Sequence, residues 1–350
     1  INEGSSVNVF ICTKKNILKK LQLLKNYKKI IIEQFIPGRE IQVAVLSDKV
    51  LGAIEQPGFY DINKYKNLKD KTYIVSGSTR GVGLSIATKL AQQGANVVIT
   101  GRTTTPHPKL EGTLTTARDS IIQAVQSNNS KAVPCDIQSG NCLAVPCDIR
   151  KEKDIAYVIQ RTLYTFGSID GIVLNASALS LKNTLEQTNK EVDLMSSVNI
   201  NGTYLFGQAA LKNMDAGHMI IVAPPIDMLY TDDWWINHMY YSMSKFNMSL
   251  MAKFWNKEFL DVGVNTLWPR TTLDTAPVRN ILGGDEMVNI SRTPDIMGDA
   301  AMHIFKTDPL ECNGNNYIDD EVLASLDIDV EQYRINTSIN EKELMPDFFC

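Results

Sequence analysis

Apolar and polar residues alternate in two different rhythms along this chain. Near the start, Ile17, Leu18, Leu21 and Leu24 are flanked by Lys14, Lys15, Lys19, Lys20 and Lys25, which predicts an amphipathic helix over 14–27. A strand over 29–34, a turn at Pro37–Gly38 and strands over 40–46 and 50–55 follow. From about Leu68 the rhythm changes to short apolar runs separated by longer helical periods. Strands are predicted over 71–77, 95–101, 169–176, 218–223 and 262–269, and helices over 82–93, 114–126, 155–166, 202–214 and 240–259. That alternation implies the α/β class, with a doubly wound parallel sheet covered on both faces.

The hexamer AVPCDI occurs at 132–137 and again at 144–149. Only one copy can fill one strand position. The second is favoured, because Arg150 leads directly into the next helix. Residues near 131–143 then read as a duplicated insertion.

With 350 residues, 44% of them hydrophobic, the chain has room for one large domain or two smaller ones. No apolar run approaches the ~20 residues of a membrane span, so no span is expected. The chain begins at Ile1 rather than Met, so its true start reads as absent. None of the six cysteines forms a C-x-x-C pair. Reduced thiols in a cytoplasmic protein are expected, with no metal site, and the duplication accounts for the Cys135, Cys142 and Cys147 cluster. Residues 1–70 carry 12 Lys/Arg against 7 Asp/Glu, a net of +5 in a chain of net −4. A nucleic-acid-binding arm or a solvated helix face would each account for that excess. The amphipathic spacing favours the second, so no nucleic-acid partner is expected.

The stretch SGSTRGVG lies between a predicted strand and a predicted helix, which suits a dinucleotide. Gly77 permits the tight turn, Gly81 lets backbone approach a phosphate, and Gly83 allows close helix–strand packing. Ser78, Arg80 and Val82 belong to the same candidate loop.

The spacing G-x-x-x-G-x-G resembles that of the short-chain dehydrogenase/reductase family. Further stretches resemble its hydroxysteroid-dehydrogenase-like branch: TTTPHPKLEGT at 103–113, LNASAL at 174–179, VNINGTY at 198–204, YYSMSK at 240–245, LWPRT at 267–271 and MPDFF at 345–349. The resemblance spans about residues 68–350 and implies a Rossmann-like fold. Residues 1–67 resemble the ATP-grasp part of D-alanine–D-alanine ligases, through NEGSSV, IIIEQFIPGREIQVAVL, KVLGAIE and FYDINKY. The family's magnesium-holding carboxylates lie in a segment replaced here, so this small α+β fragment is expected to be inactive.

Within the larger piece the second strand ends Thr100–Gly101–Arg102, without the carboxylate that NAD sites use. Arg102 and Arg80 could face a 2′-phosphate, which favours NADP over NAD. The resemblance puts Asp148 near adenine and Asn175 in the cofactor cleft. Tyr-x-x-x-Lys occurs at Tyr60/Lys64, Tyr65/Lys69 and Tyr241/Lys245. Only the third lies on a helix after the strand that ends at the cleft. Its two side chains share a helix face, and an ammonium beside the phenol, with the charge of the nicotinamide ring, would lower the tyrosine pKa. Tyr241 could then exchange a proton with substrate. Asn199 matches the family's catalytic asparagine, expected to hold a water that joins Lys245 to solvent. A helix-cap role is the other reading.

The branch carries a serine at the position of Ala223, and many family members carry one thirteen residues before the tyrosine, where Met228 stands. Losing such a donor costs ~10²–10³ in rate. Asp227 and Thr231 are the nearby polar substitutes, and Asp227 would repel a developing oxyanion. The expected protein is an NADP-dependent oxidoreductase of reduced activity acting on an apolar carbonyl or alcohol. The alternatives are a non-catalytic NADP-binding protein and a degenerate fusion product. The apolar loop that includes Trp234 and Trp235 could line a substrate pocket or a homo-oligomer interface.

Overall fold

The computed structural model describes residues 40–46, 49–56, 66–106, 111–128, 141–230 and 238–349. The predicted helix over 14–27, the strand over 29–34, the pairs Tyr60/Lys64 and Tyr65/Lys69, the first AVPCDI copy, Thr231, Trp234 and Trp235 fall outside these residues, wholly or in part. The chain divides into two compact units, Ile1–Lys64 and Tyr65–Cys350. In the first, β1 (Glu40–Leu46) and β2 (Lys49–Gln56) form an antiparallel hairpin with a register shift between Ala44 and Val45.

The second unit carries a seven-stranded parallel sheet, β3 (Thr72–Ser76), β4 (Asn96–Gly101), β5 (Cys142–Pro146), β6 (Gly171–Leu174), β7 (Gly217–Val222), β8 (Val262–Trp268) and β9 (Asn316–Ile318). Its order is β5-β4-β3-β6-β7-β8-β9. The chain winds outward from β3 in one direction and, from β6, in the other. Such a reversal opens a crevice at the carboxyl ends of β3 and β6. The strands are almost wholly apolar because both faces are covered. Alternate residues feed two clusters: Val75, Ile99, Val173, Ile220 and Val222 one, Ile74, Val98, Ile172, Met219 and Ile221 the other. Each fully buried aliphatic side chain contributes about 1.5–3 kcal/mol. Strand β5 includes the start of the second AVPCDI copy, as its junction with Arg150 suggests.

The helices are α1 (Gly81–Gln92), α2 (Leu114–Asn128), α3 (Glu152–Phe166), α4 (Asn189–Met195), α5 (Thr203–Leu211), α6 (Met239–Glu258), α7 (Gly284–Asn289), α8 (Asp295–Phe305) and α9 (Asp319–Ala324). The helix predicted over 202–214 starts earlier. Its run begins at α4, capped by a Thr188–Glu191 capping box, and passes through a π-helical turn at Ser196–Gly202 before α5. Strand β9 and helices α4, α7, α8 and α9 were not predicted. Most are short, and α8 is apolar nearly all round, so periodicity marks them weakly. Helices α1 and α8 pack closely. A Cβ on Gly298 would come within 2.4 Å of the Ser85 hydroxyl, and that hydroxyl donates to Asp295.

Candidate active site

The turn after β3 is shaped by its glycines. Gly77 and Gly81 have φ of +65° and +56°, where only glycine is unstrained. A Cβ on Gly77 would also lie 2.9 Å from the Ala176 backbone. Gly83 serves packing, as expected: a Cβ there would sit 2.6 Å from both Asn175 Nδ2 and the Gly77 carbonyl. No side chain caps α1, and its first turn holds no acid. The helix start therefore offers backbone N–H groups and positive dipole to an anion.

A cavity of about 520 Å³ runs from this turn to the ends of β7 and β8. Gly77, Arg80, Gly81, Val82, Arg102, Asp148, Asn175, Tyr241 and Lys245 border it, as does Thr79, which the sequence reading did not single out. Ser78, Gly83 and Asn199 are not on its wall. Ser78 is turned inward. Its hydroxyl donates to the Val75 carbonyl at 2.7 Å and accepts from Thr100 N–H at 2.9 Å, so it ties β3 to β4 and offers nothing to a ligand. Arg80 is only partly available, since its guanidinium donates to the carbonyls of Glu111 (2.6 Å) and Gly112 (2.8 Å) and to the Thr103 hydroxyl (3.3 Å). Arg102 is exposed at the cleft and makes no hydrogen bond or ion pair with the described residues. Asp148 is held below the usual carboxylate range, chiefly by the hydrogen bond from Arg150. Asn175 braces the turn, its amide donating to the Ser76 and Gly77 carbonyls at 3.0 and 3.1 Å. The open helix start, the left-handed glycines and the exposed Arg102 fit a phosphate-bearing dinucleotide.

At the other end of the cavity α6 presents Tyr241 and Lys245 from one face. The Lys245 ammonium donates to the Val222 carbonyl at 2.6 Å and lies 5.0 Å from the Trp268 ring centre. Burial pushes Lys245 down to about 7, against the opposing pull of Asp347. The Tyr241 hydroxyl makes no hydrogen bond with the described residues. Burial, then the Asp347 charge, raises its pKa. Lys245 is not among the charges that act on the phenol in this dinucleotide-free structure, and its ammonium is directed at Val222 and Trp268.

Asn199 sits in the π-helical turn with its amide fully engaged. Its Oδ1 accepts from Ala178 N–H at 2.7 Å, and its Nδ2 donates at 2.9 Å to both the Ala178 carbonyl and the Ser244 hydroxyl. Ser244 in turn donates to the Tyr241 carbonyl at 2.7 Å. Asn199 thus fastens the loop after β6 to α6. Its side chain neither faces the cleft nor caps α5, whose N-cap is Gly202.

Ala223 corrects a further expectation. It is completely buried in the cluster of Met219, Ile221, Met248 and Trp255, whereas its neighbour Val222 borders the cleft. A hydroxyl at 223 would enter that apolar cluster and not meet a substrate. Met228, on a 3₁₀ turn at Ile226–Tyr230, packs half-buried against the other cluster and does not border the cleft either. Asp227 is exposed.

The sequence reading missed the wall opposite Tyr241. Trp268, Asp347 and Phe348 border the cavity there. Asp347 is half-buried, and burial pushes its carboxyl up to about 8, with Asp319 adding to the rise. The available signals were LWPRT, which holds Trp268, and MPDFF, which holds Asp347 and Phe348, each read only as a point of resemblance.

A family model described as enoyl-(acyl carrier protein) reductase matches residues 77–302. A model described as the D-ala D-ala ligase C-terminus matches residues 1–93. Hydroxysteroid dehydrogenase-like protein 2 of Xenopus tropicalis is 38% identical over 283 residues, which cover 79% of this chain and 63% of that protein. The matched stretch thus falls short of two thirds of the relative's length. A solved short-chain dehydrogenase from Mycobacterium thermoresistibile is 35% identical, covering 81% of this chain and 95% of that one, with a TM-score of 0.68. A short-chain dehydrogenase from Burkholderia cenocepacia, solved in complex with NADP, shares the fold at 18% identity, covering 72% of this chain and 97% of that one, with a TM-score of 0.57.

Proposed function

This chain belongs to the short-chain dehydrogenase/reductase family, and from that premise we propose that it is an NADP-dependent oxidoreductase for the carbonyl or alcohol of an apolar substrate. The observation that carries this reading is a single cleft with the glycine turn at one end and Tyr241 with Lys245 at the other.

The open start of α1 would hold the pyrophosphate, and Arg102 the 2′-phosphate, by charge-assisted hydrogen bonds. Binding of NADP by the Burkholderia cenocepacia relative agrees with this choice. A bound nicotinamide supplies the hydride, or accepts it in the reverse direction. Tyr241 gives its phenolic proton to the substrate oxygen in reduction and takes it back in oxidation. Lys245, fixed by the Val222 carbonyl, lies on the same helix face as Tyr241 at the reacting end of the cleft. Apolar neighbours, among them Val222, Leu179 and Phe348, exclude water around the reacting groups and suit an apolar substrate. Ala223 carries no rate penalty in this reading, because its side chain faces away. The ligase-like segment is assigned no reaction. Buried free thiols at Cys142, Cys147 and Cys312 agree with a reducing, cytoplasmic setting.

The test is NADPH oxidation against a panel of apolar ketones and aldehydes, with NADH in parallel. Saturable, NADPH-preferring turnover that disappears in Tyr241→Phe supports the reading. Tight NADPH binding without turnover of any panel member would leave a binding protein instead.

A further inference from the structure

The residues just before α2 lie directly on the turn after β3. Gly112 has φ of +87°, and a Cβ on it would come within 2.5 Å of the Thr79 carbonyl oxygen. Leu114 N–H donates to the Thr103 carbonyl at 2.9 Å, which ties the same stretch to the chain leaving β4.

Arg80 fastens this arrangement with its side chain. Its Nε donates to the Glu111 carbonyl at 2.6 Å. Its Nη2 donates to the Gly112 carbonyl at 2.8 Å and to the Thr103 hydroxyl at 3.3 Å. A guanidinium presents two bidentate edges to an anion, Nε with Nη2 and Nη1 with Nη2. Nη2 belongs to both edges, and both of its N–H groups are engaged with protein oxygens. Neither edge is left whole for a phosphate. Arg80 and Thr103 border the cleft, whereas Glu111 and Gly112 do not. The fork therefore joins the cleft wall to the segment behind it. Arg102, by contrast, is exposed at the cleft.

We propose that Arg80 is a positioning residue and not a ligand of the 2′-phosphate. Its guanidinium clamps Thr103, Glu111 and Gly112 onto the glycine turn, and this clamp sets the wall of the cleft at the phosphate end. A dinucleotide then gains from Arg80 equally with or without a 2′-phosphate. That consequence rests on the oxidoreductase reading, whereas the clamp itself does not.

The test is calorimetric titration of the full chain with NADPH and with NADH, for the natural sequence, Arg80→Met and Arg80→Lys. Lysine keeps the charge but not the fork, so it cannot span the three acceptors. Both variants are expected to bind both dinucleotides about tenfold or more weakly, by the same factor for each. Loss confined to NADPH in Arg80→Met, largely restored in Arg80→Lys, would overturn the proposal, as would no loss for either dinucleotide. A second readout needs no dinucleotide. Hydrogen exchange of the Leu114 amide, followed by NMR, is expected to quicken about tenfold or more in Arg80→Met, and an unchanged rate refutes the clamp. Should Arg80→Met fail to fold by circular dichroism, the natural chain decides through its ¹⁵N-arginine spectrum, with Arg80→Lys identifying the signal. The Arg80 Nε–H must exchange with solvent more slowly than that of Arg102, and equal rates count against the clamp. Altered Leu114 exchange in a chain that binds neither dinucleotide would support the clamp while removing the oxidoreductase reading.

Discussion

Val222 and Ala223 are consecutive at the end of β7 yet face opposite sides of the sheet: Val222 borders the cleft and Ala223 lies in the apolar cluster under α6. The alternation of a strand places them so. Ala223→Ser is therefore expected to leave NADPH-dependent turnover unchanged within about twofold, far short of the ~10²–10³ that a missing oxyanion donor would restore. The buried hydroxyl is expected to cost about 1–3 kcal/mol of stability. Parallel rate measurements and thermal melts check both. A large gain in turnover would show that residue 223 reaches the substrate after all.

Tyr241→Phe removes the proton donor and keeps the ring that stacks on Phe349. Turnover is expected to fall ~10²–10⁴-fold, with dinucleotide affinity and melting temperature nearly unchanged. Fluorescence titration of NADPH beside the rate assay separates the two effects. Equal loss of binding and rate would point to misfolding.

Arg102→Ala tests the cofactor choice. Charge-assisted contact with a 2′-phosphate is expected to make NADPH bind about tenfold or more weakly, with NADH unaffected. Calorimetric titration of both dinucleotides checks this. Equal loss for the two, or none for either, would place the 2′-phosphate elsewhere.

Gly83→Ala drives a methyl to 2.6 Å from the Gly77 carbonyl and the Asn175 amide. Overpacking of this kind costs about 1–3 kcal/mol. The displacement of Asn175 from the Ser76 and Gly77 carbonyls is expected to weaken dinucleotide binding as well. Chemical denaturation measures the first effect and titration the second.

His218 is fully buried, with Nε2 2.9 Å from the Thr307 carbonyl, and burial pushes its pKa down to about 4 from 6.5. Above pH 6.5 it is neutral in both the folded and unfolded chain, and its site costs nothing. Below 6.5 the unfolded chain takes a proton that the folded one refuses, so stability falls with pH until the folded histidine also protonates near 4. The loss is of the order of 3 kcal/mol at the acid end of that window. Urea melts at pH 7 and pH 5 are expected to show a smaller difference in a His218→Gln variant than in the natural chain.

By itself the sequence determined the α/β class, the strand–glycine turn–helix unit at about 71–93, and the Tyr241/Lys245 pair on one helix face. These follow from local rules: a strand repeats every two residues, a helix every 3.6, and a tight turn needs glycine where φ is positive. Tertiary structure alone decided which side of β7 residue 223 faces, since a strand buried on both faces is apolar at every position and its pattern has no phase. It also spent the Ser78 hydroxyl, the Asn199 amide and part of Arg80 on backbone partners far along the chain, which no spacing records. Last, it brought Asp347 to the cleft that Lys245 borders, although the two stand 102 positions apart in the chain. That placement depends on β8 ending at Trp268 and on the backbone hydrogen bonds of the final segment, because the chain order of two residues says nothing of the distance between them.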